Sequence, residues 1–133
     1  MTMSNYLAAA ILDAVFQGKA FTFEKLWLAL HWSNPTPEGA LSSEVAGGSY
    51  RRQYTGDVGM WSPGSNSTTV LTRSVTFAGM PSGVVRYVAL WNAATSGTGT
   101  GVMMWYGPLD KAYTVLDGQT FLLPTNSVAV SLS

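Results

Sequence analysis

The first residues of the chain carry a helical pattern of apolar positions over Asn5–Gln17. Apolar side chains recur there at helical spacing, at Leu7, Ile11, Ala14 and Val15. Ser4 is placed to cap the amino end of this helix, and Gly18 suits the position just after its carboxyl end. Leu12 and Phe16 widen the apolar face. Because apolar groups surround so much of the helix, we expect a sheet or a neighbouring subunit to cover it.

After Gly18 the apolar pattern changes to the period of two that is typical of strands. Segments of this kind are Lys25–His31, Ser49–Tyr54, Thr68–Phe77, Val84–Asn92, Val102–Tyr106, Thr120–Leu123 and Val128–Leu132. Loops or turns are predicted at Asn34–Gly39, Ala93–Gly101 and Asp117-Gly118, and Gly107-Pro108 is predicted to end the strand before it.

One helix followed by short strands at regular spacing predicts a mainly β fold. We expect an antiparallel β-sandwich, jelly-roll or Greek-key like, with one N-terminal α-helix. The whole chain, residues 1–133, is predicted to form one domain, with the helix at about 5–17 and strands from about 25 to 132.

Charged residues are scarce, which bears on how the protein meets its partners. They make up 11% of the chain, against roughly 25% in an ordinary soluble domain, while the apolar share of 47% is normal. This favours a subunit whose surface contacts other chains over a merely sparsely charged β domain. The net charge of zero argues against binding nucleic acid or an anionic membrane. No segment is predicted to span a membrane, and Met1–Tyr6 lacks the pattern of a signal peptide.

The sequence offers little catalytic chemistry. It contains no cysteine, which excludes thiol nucleophiles, disulfides and cysteine-ligated metals. His31, at the end of a predicted strand, is expected to be a hydrogen-bonded structural residue rather than the base of a Ser–His–acid triad. The acidic residues are predicted to be solvated and not to bind metal: Asp13, Glu24, Glu38, Glu44, Asp57, Asp110 and Asp117. We therefore predict no enzymatic activity, no cofactor and no metal.

Aromatic and arginine residues supply the candidates for an interface. Trp27, Trp91 and Trp105 lie within predicted strands and are expected to fill the core. In the segment YRRQY the two adjacent arginines should point to opposite faces of a strand, so at least one could pair across a subunit boundary, although a solvated edge strand is an equally good interpretation. The predicted interface residues are Trp32, Tyr50, Arg51, Arg52, Tyr54 and Trp61.

Six segments of the chain resemble a known family. They are SNYLAAAILDAVF at 4–16, LWLALHWSNPTPEG at 26–39, SEVAGGSYRRQ at 43–53, VVRYVALWNAATSGTG at 84–99, MMWYGPLDKAYTV at 103–115 and DGQTFLLPTNSVAVSLS at 117–133. Together they are similar to small virion proteins of tailed bacteriophages, commonly labelled tail-fibre proteins. The resemblance covers nearly the whole chain in order, with gaps mainly around 55–80.

The resemblance implies a structural role in the virion, with assembly in the host cytoplasm and no catalytic or metal-binding residues to carry over. The chain is also similar to capsid cement or decoration proteins, which act as dimers or trimers and reinforce the shell, and we predict this role ahead of a place in the tail or fibre. On that interpretation its partners are copies of itself and the major capsid protein or other virion proteins. The alternative is a tail-fibre or tail-associated module that binds a host receptor or surface glycan through loop aromatics and the Gly97–Gly101 hairpin.

Overall fold

The computed structural model describes residues 1–21, 25–94 and 101–132. Within those residues lie one α-helix, α1 at Asn5–Phe16, and a short 3-10 turn at Leu41–Ser43. The strands of the described chain are β1 (Thr2–Met3), β2 (Trp27–His31), β3 (Gln53–Tyr54), β4 (Thr68–Val70), β5 (Val75–Phe77), β6 (Gly83–Trp91), β7 (Met103–Val115), β8 (Phe121–Leu123) and β9 (Ala129–Ser131).

The ends of α1 lie where the sequence predicted them. The hydroxyl oxygen of Ser4 accepts a hydrogen bond from the backbone N–H of Leu7, 3.1 Å away, which satisfies one of the free donors in the first turn. Gly18 follows the helix with a φ of +66°, a left-handed conformation that favours glycine. The predicted helical segment is therefore confirmed.

Three antiparallel sheets build the body of the protein. The largest has the strand order β1-β7-β6-β2-β3, and two smaller ones pair β4 with β9 and β5 with β8. The sheets pack together in a sandwich-like arrangement, so the predicted mainly β fold with one N-terminal helix is confirmed.

The main core lies between the five-stranded sheet and the two small sheets. The large sheet contributes buried side chains from β2, β6 and β7, and the small sheets contribute those of β5, β8 and β9. The largest fully buried members include Phe77, Leu28, Leu30, Leu71 and Leu90. A second, smaller cluster of Ala29, Ala89, Trp91 and Met103 lies on the opposite face of the large sheet. The large sheet is thus apolar on both faces around its centre.

The segment Thr68–Phe77 forms two strands rather than the single predicted one. The predicted alternation holds only in part, since Leu71, Val75 and Phe77 are buried but residues 72–74 are all exposed. The segment nevertheless changes partner, from β9 to β8, between Val70 and Val75. In between, the backbone N–H of Leu71 donates to the carbonyl of Val128.

The prediction that Gly107-Pro108 ends a strand is wrong. β7 continues to Val115, and Pro108 lies opposite Tyr87 of β6. β1 pairs with β7 at Trp105 and Tyr106, so beyond that point β6 is the one described strand paired with β7. A proline is tolerated where one edge of a strand is open, because its missing N–H then removes no ladder bond. The pairing also shifts register between Val85 and Tyr87, which places residues 109–112 in a bulge.

The predicted Ala93–Gly101 hairpin loop falls mostly on residues 95–100, which lie outside the described residues. The strands that flank it, β6 and β7, are antiparallel neighbours. In the described part of the chain, no helix is long and apolar enough to cross a bilayer.

Candidate functional site

A buried ion pair joins Glu44 and Arg52, and both side chains are almost fully inaccessible, at 2% and 1% exposure. The guanidinium donates from Nη2 to Oε1 of Glu44 at 2.7 Å and from Nε to Oε2 at 2.9 Å. A third bond runs from Nη1 to the carbonyl of Ala93 at 3.0 Å. The prediction that Glu44 is a solvated acid is wrong, because a two-pronged contact with Arg52 compensates its carboxylate for the loss of water.

Tyr50 connects this ion pair to the edge of β2. Its hydroxyl donates to Oε2 of Glu44 at 2.9 Å and accepts from the backbone N–H of Leu30 at 3.0 Å. The ring of Tyr50 stacks on Phe77 in the main core. Burial first, and the Glu44 carboxylate second, raise the pKa of Tyr50 well above its usual range. The hydroxyl therefore stays protonated and keeps both hydrogen bonds.

His31 lies beside the ion pair, and its two ring nitrogens have distinct partners. Nδ1 is 2.7 Å from the hydroxyl oxygen of Ser43, and Ser43 itself donates to the carbonyl of Ala40. The Nε1–H of Trp91 points at Nε2, 3.4 Å away. These partners fix a neutral imidazole that donates from Nδ1 and accepts at Nε2. Burial, and then the charge of Arg52, lower the pKa of His31 to about 3.

Ser43 and His31 do not form a usable nucleophile and base. The serine hydroxyl oxygen accepts a hydrogen bond from the imidazole and donates its own to the Ala40 carbonyl. In a catalytic pair the serine hydroxyl would instead donate to the imidazole. His31 is fully buried and Ser43 is 6% exposed, so no substrate reaches them in this conformation. The prediction of a hydrogen-bonded structural histidine is confirmed.

The polar network formed by Glu44, Arg52, Tyr50, His31 and Ser43 completes an edge of the large sheet. β3 pairs with β2 at Trp27 and Leu28 and extends no further. Beyond that point the segment 43–52 takes over: Val45 N–H donates to the carbonyl of Leu30, and Glu44 forms a bridge with His31. An open strand edge invites pairing with other chains, and this segment covers it with internal bonds.

The predicted interface residues divide between the interior and the surface. Arg52 and Tyr50 belong to the internal network, whereas Arg51 and Tyr54 are exposed. The two arginines therefore point to opposite sides, as predicted, although they precede β3 and the predicted strand Ser49–Tyr54 is reduced to Gln53–Tyr54. The exposed Tyr54 ring packs against Trp27, with centroids 5.0 Å apart.

The two loop tryptophans are half-buried. Trp32 lies directly on Gly83, where a Cβ would come within 2.7 Å of the indole ring. Trp61 packs against the main core and forms a bridge with Leu71. Of the three tryptophans expected in the core, Trp91 is fully buried, whereas Trp27 and Trp105 are half-buried.

The helix presents an apolar surface that the body does not cover. Leu7 is its one buried residue, while Leu12, Val15 and Phe16 are 56%, 68% and 75% exposed. Between α1 and the body lies an apolar groove of about 430 Å³. Its walls are Leu7, Ile11, Phe21, Leu26, Met104, Trp105 and Leu132. The indole N–H of Trp105 is buried and has no hydrogen-bond partner among the described residues.

No group of three or more histidine or acidic side chains within the described residues is arranged to hold a metal ion. The chemistry that the structure does offer is that of contact: an exposed apolar helix, a groove beside it, and a few exposed aromatic and arginine side chains.

Comparison with known protein families gives a match over nearly the full chain. The model of a family described as "Podophage GP4 fiber I protein gp80" matches residues 2–131. The chain belongs to this family. Membership in the fiber I protein family confirms the resemblance to small virion proteins of tailed phages that are labelled tail-fibre proteins. A comparison with curated proteins finds no match.

The sequence missed the buried members of the network. A single acid such as Glu44 reveals its burial only if its partner is known, and Arg52 lies eight residues away across an irregular segment. The available signal was the arginine pair, for which the sequence predicted opposite sides and, at most, a partner across a subunit boundary.

Proposed function

We propose that this chain is a non-enzymatic structural subunit of a phage fibre, present in several copies and held in place by contacts with other virion chains. The observation that carries the proposal is the family match, which spans residues 2–131 and names a fibre protein. The scarcity of charge and the exposed apolar helix support a role in assembly.

The side chains of the polar network are paired with one another, which supports the non-enzymatic part of the proposal. Every titratable side chain of the network has its partners inside the chain: Glu44 with Arg52, Tyr50 with Glu44, and His31 with Ser43. Such an arrangement stabilises a loop against a strand edge rather than acting on a substrate.

A capsid cement or decoration role is the second candidate. The observation that favours it is the compact packing of the described strands around one main core, with no elongated shaft among them. A decoration protein would contact the major capsid protein and copies of itself. Its subunits would cover the shell, so it would be far more abundant than a fibre.

Quantitative mass spectrometry of purified virions separates the two roles. We expect a copy number far below that of the major capsid protein, and antibody labelling at the tail under the electron microscope. A copy number close to that of the capsid protein, with labelling over the shell, would replace the fibre role with decoration. Absence from virions would overturn both.

The exposed residues among the predicted contacts provide a test of their role. The double variant R51A/Y54A alters two exposed side chains, and we expect it to fold normally and to lower incorporation into virions. Val58, which is 93% exposed on another loop, supplies the control V58A. Equal incorporation of both variants would remove Arg51 and Tyr54 from the interface. A glycan array with the same proteins tests the receptor-binding alternative.

A further inference from the structure

We infer that the exposed apolar face of α1 packs into the groove beside α1 of a second copy of this chain, about a two-fold axis. The inference rests on the proposed multi-copy role and names the surface that would serve it. Three observations support it: the apolar ridge, the groove, and the charges at their border.

The ridge consists of Leu12, Val15 and Phe16. These residues are three and four apart, so they share one side of the helix. All three are more than half exposed, and the described body leaves them in water. A helix with so much apolar surface is normally covered on that side.

The groove lies on the adjoining side of the same helix. Ile11 forms part of its wall and lies four residues before Val15, so the groove and the ridge are continuous. Leu132, 60% exposed, extends the apolar surface on the body side. These exposed side chains together form an apolar surface that runs from the helix to the body.

A second copy is the occupant that this geometry fits. An apolar ridge and an apolar groove lie side by side along α1, and a two-fold contact uses the same surface on both copies. Each ridge can enter the groove of the other copy, so both apolar surfaces are buried at once.

The charges at the border also match a second copy. Asp13 and Lys19 lie 3.8 Å apart and are 48% and 70% exposed, so they form a weak pair within one chain. Across a two-fold axis, Asp13 of one copy can pair with Lys19 of the other, and the reverse pair forms at the same time. A partner whose surface carries charges of one sign would gain no net electrostatic attraction from this border, because the two charges of the border cancel.

Sedimentation equilibrium of the purified full chain tests the contact. We expect a reversible dimer, and we expect F16E and L12E each to raise its dissociation constant at least about tenfold, because each buries a carboxylate in place of an apolar side chain. V58E adds the same charge at a residue that is 93% exposed elsewhere, and it should leave the dimer unchanged. Circular dichroism checks that each variant is folded.

Charge exchange gives a second test that misfolding cannot imitate. D13K and K19D should each weaken the dimer, because each makes its own border all positive or all negative. Mixed in equal amounts, the two variants should form a heterodimer that is tighter than either homodimer. Failure of the mixture to associate would overturn the two-fold arrangement.

The remaining outcomes also decide the question. A wild-type chain that stays monomeric at about 100 μM, or a dimer that ignores F16E and L12E, would overturn the inference while leaving the virion role to the copy-number measurement. A monomeric chain whose F16E variant is lost from virions would mean that α1 docks on a different virion protein. Absence of the wild-type chain from virions would instead overturn the proposed function.

Discussion

The guanidinium of Arg52 lies over the face of the Trp91 indole, with its central carbon 4.3 Å from the ring centroid. Both residues are at most 4% exposed, so this cation–π contact is shielded from water. Glu44 holds the same guanidinium edge-on through two hydrogen bonds. The charge of Arg52 is thus balanced in its plane by the carboxylate and above its plane by the indole.

Removing the carboxylate should be costly for stability. E44Q leaves Arg52 buried without a counter-charge, and we expect it to lower the free energy of unfolding by about 3–5 kcal/mol. Urea denaturation monitored by tryptophan fluorescence measures the loss. D13N removes the exposed partner of Lys19 and should cost less than about 1 kcal/mol. Equal losses for the two variants would contradict the role of the buried pair.

The Tyr50 hydroxyl should contribute to stability through its two hydrogen bonds, to the Leu30 N–H and to Glu44. Y50F leaves the N–H of Leu30 without its side-chain acceptor and removes one donor from Glu44, which keeps its two bonds from Arg52, so we expect a loss of about 1–3 kcal/mol. Hydrogen exchange at the Leu30 amide should become faster. Y54F alters a tyrosine that is 39% exposed, and it should change stability by less than about 0.5 kcal/mol. An unchanged exchange rate at Leu30 would refute the bond.

Stability should fall as the pH drops below the ordinary pKa of histidine. The pKa of His31 is lowered from 6.5 to about 3, so between these values the unfolded chain binds a proton that the folded chain does not. The free energy of unfolding therefore decreases as the pH falls through this window, by at most about 1.4 kcal/mol per pH unit from this residue.

Urea denaturation between pH 4.5 and 7.5 measures that slope. H31Q has no titrating ring and should show a weaker pH dependence than the wild type, whatever its stability at neutral pH. Two parallel curves would mean that other groups account for the pH dependence.

The turn at Gly48 should tolerate no side chain. Gly48 has a φ of +55°, and a Cβ there would lie 2.5 Å from the backbone carbonyl oxygen of Gly79. We expect G48A to lower the free energy of unfolding by about 2–5 kcal/mol, from backbone strain together with overlap. Gly118 has a φ of +83° with nothing within 4 Å, so G118A carries the strain alone. Thermal melts should rank G48A clearly below G118A.

Local patterns were sufficient to predict much of the fold. The Ser4 cap, the apolar spacing of α1 and the β-branched run of β6 each depend on residues close in sequence, and each is found as predicted. The continuation of β7 past Pro108 could not be predicted in this way. It depends on which edge of β7 is unpaired at Pro108. That edge is set by β1, a strand distant in sequence, which pairs with β7 only at Trp105 and Tyr106.

The polar network shows the same limit. The adjacent arginines were predicted to point to opposite sides, with one of them able to pair across a subunit boundary, whereas the structure places Arg52 in an internal ion pair. Its partners Glu44 and Trp91 lie on different segments, and packing alone brings them together. Patterns along the sequence indicate which side of an extended segment a residue faces, but they do not indicate which distant group it will contact.

The strand order β1-β7-β6-β2-β3 also constrains how the chain acquires its structure. The central antiparallel pair of β6 and β7 joins segments close in sequence, whereas β1 and β2 must wait for strands that emerge from the ribosome much later. Long-range pairing of this kind slows folding and leaves apolar segments exposed in the meantime. The helix α1 is synthesised well before β7, on which it packs. Synthesis must pass β7 before the sheet can close, so nascent chains truncated before that point should be prone to aggregation.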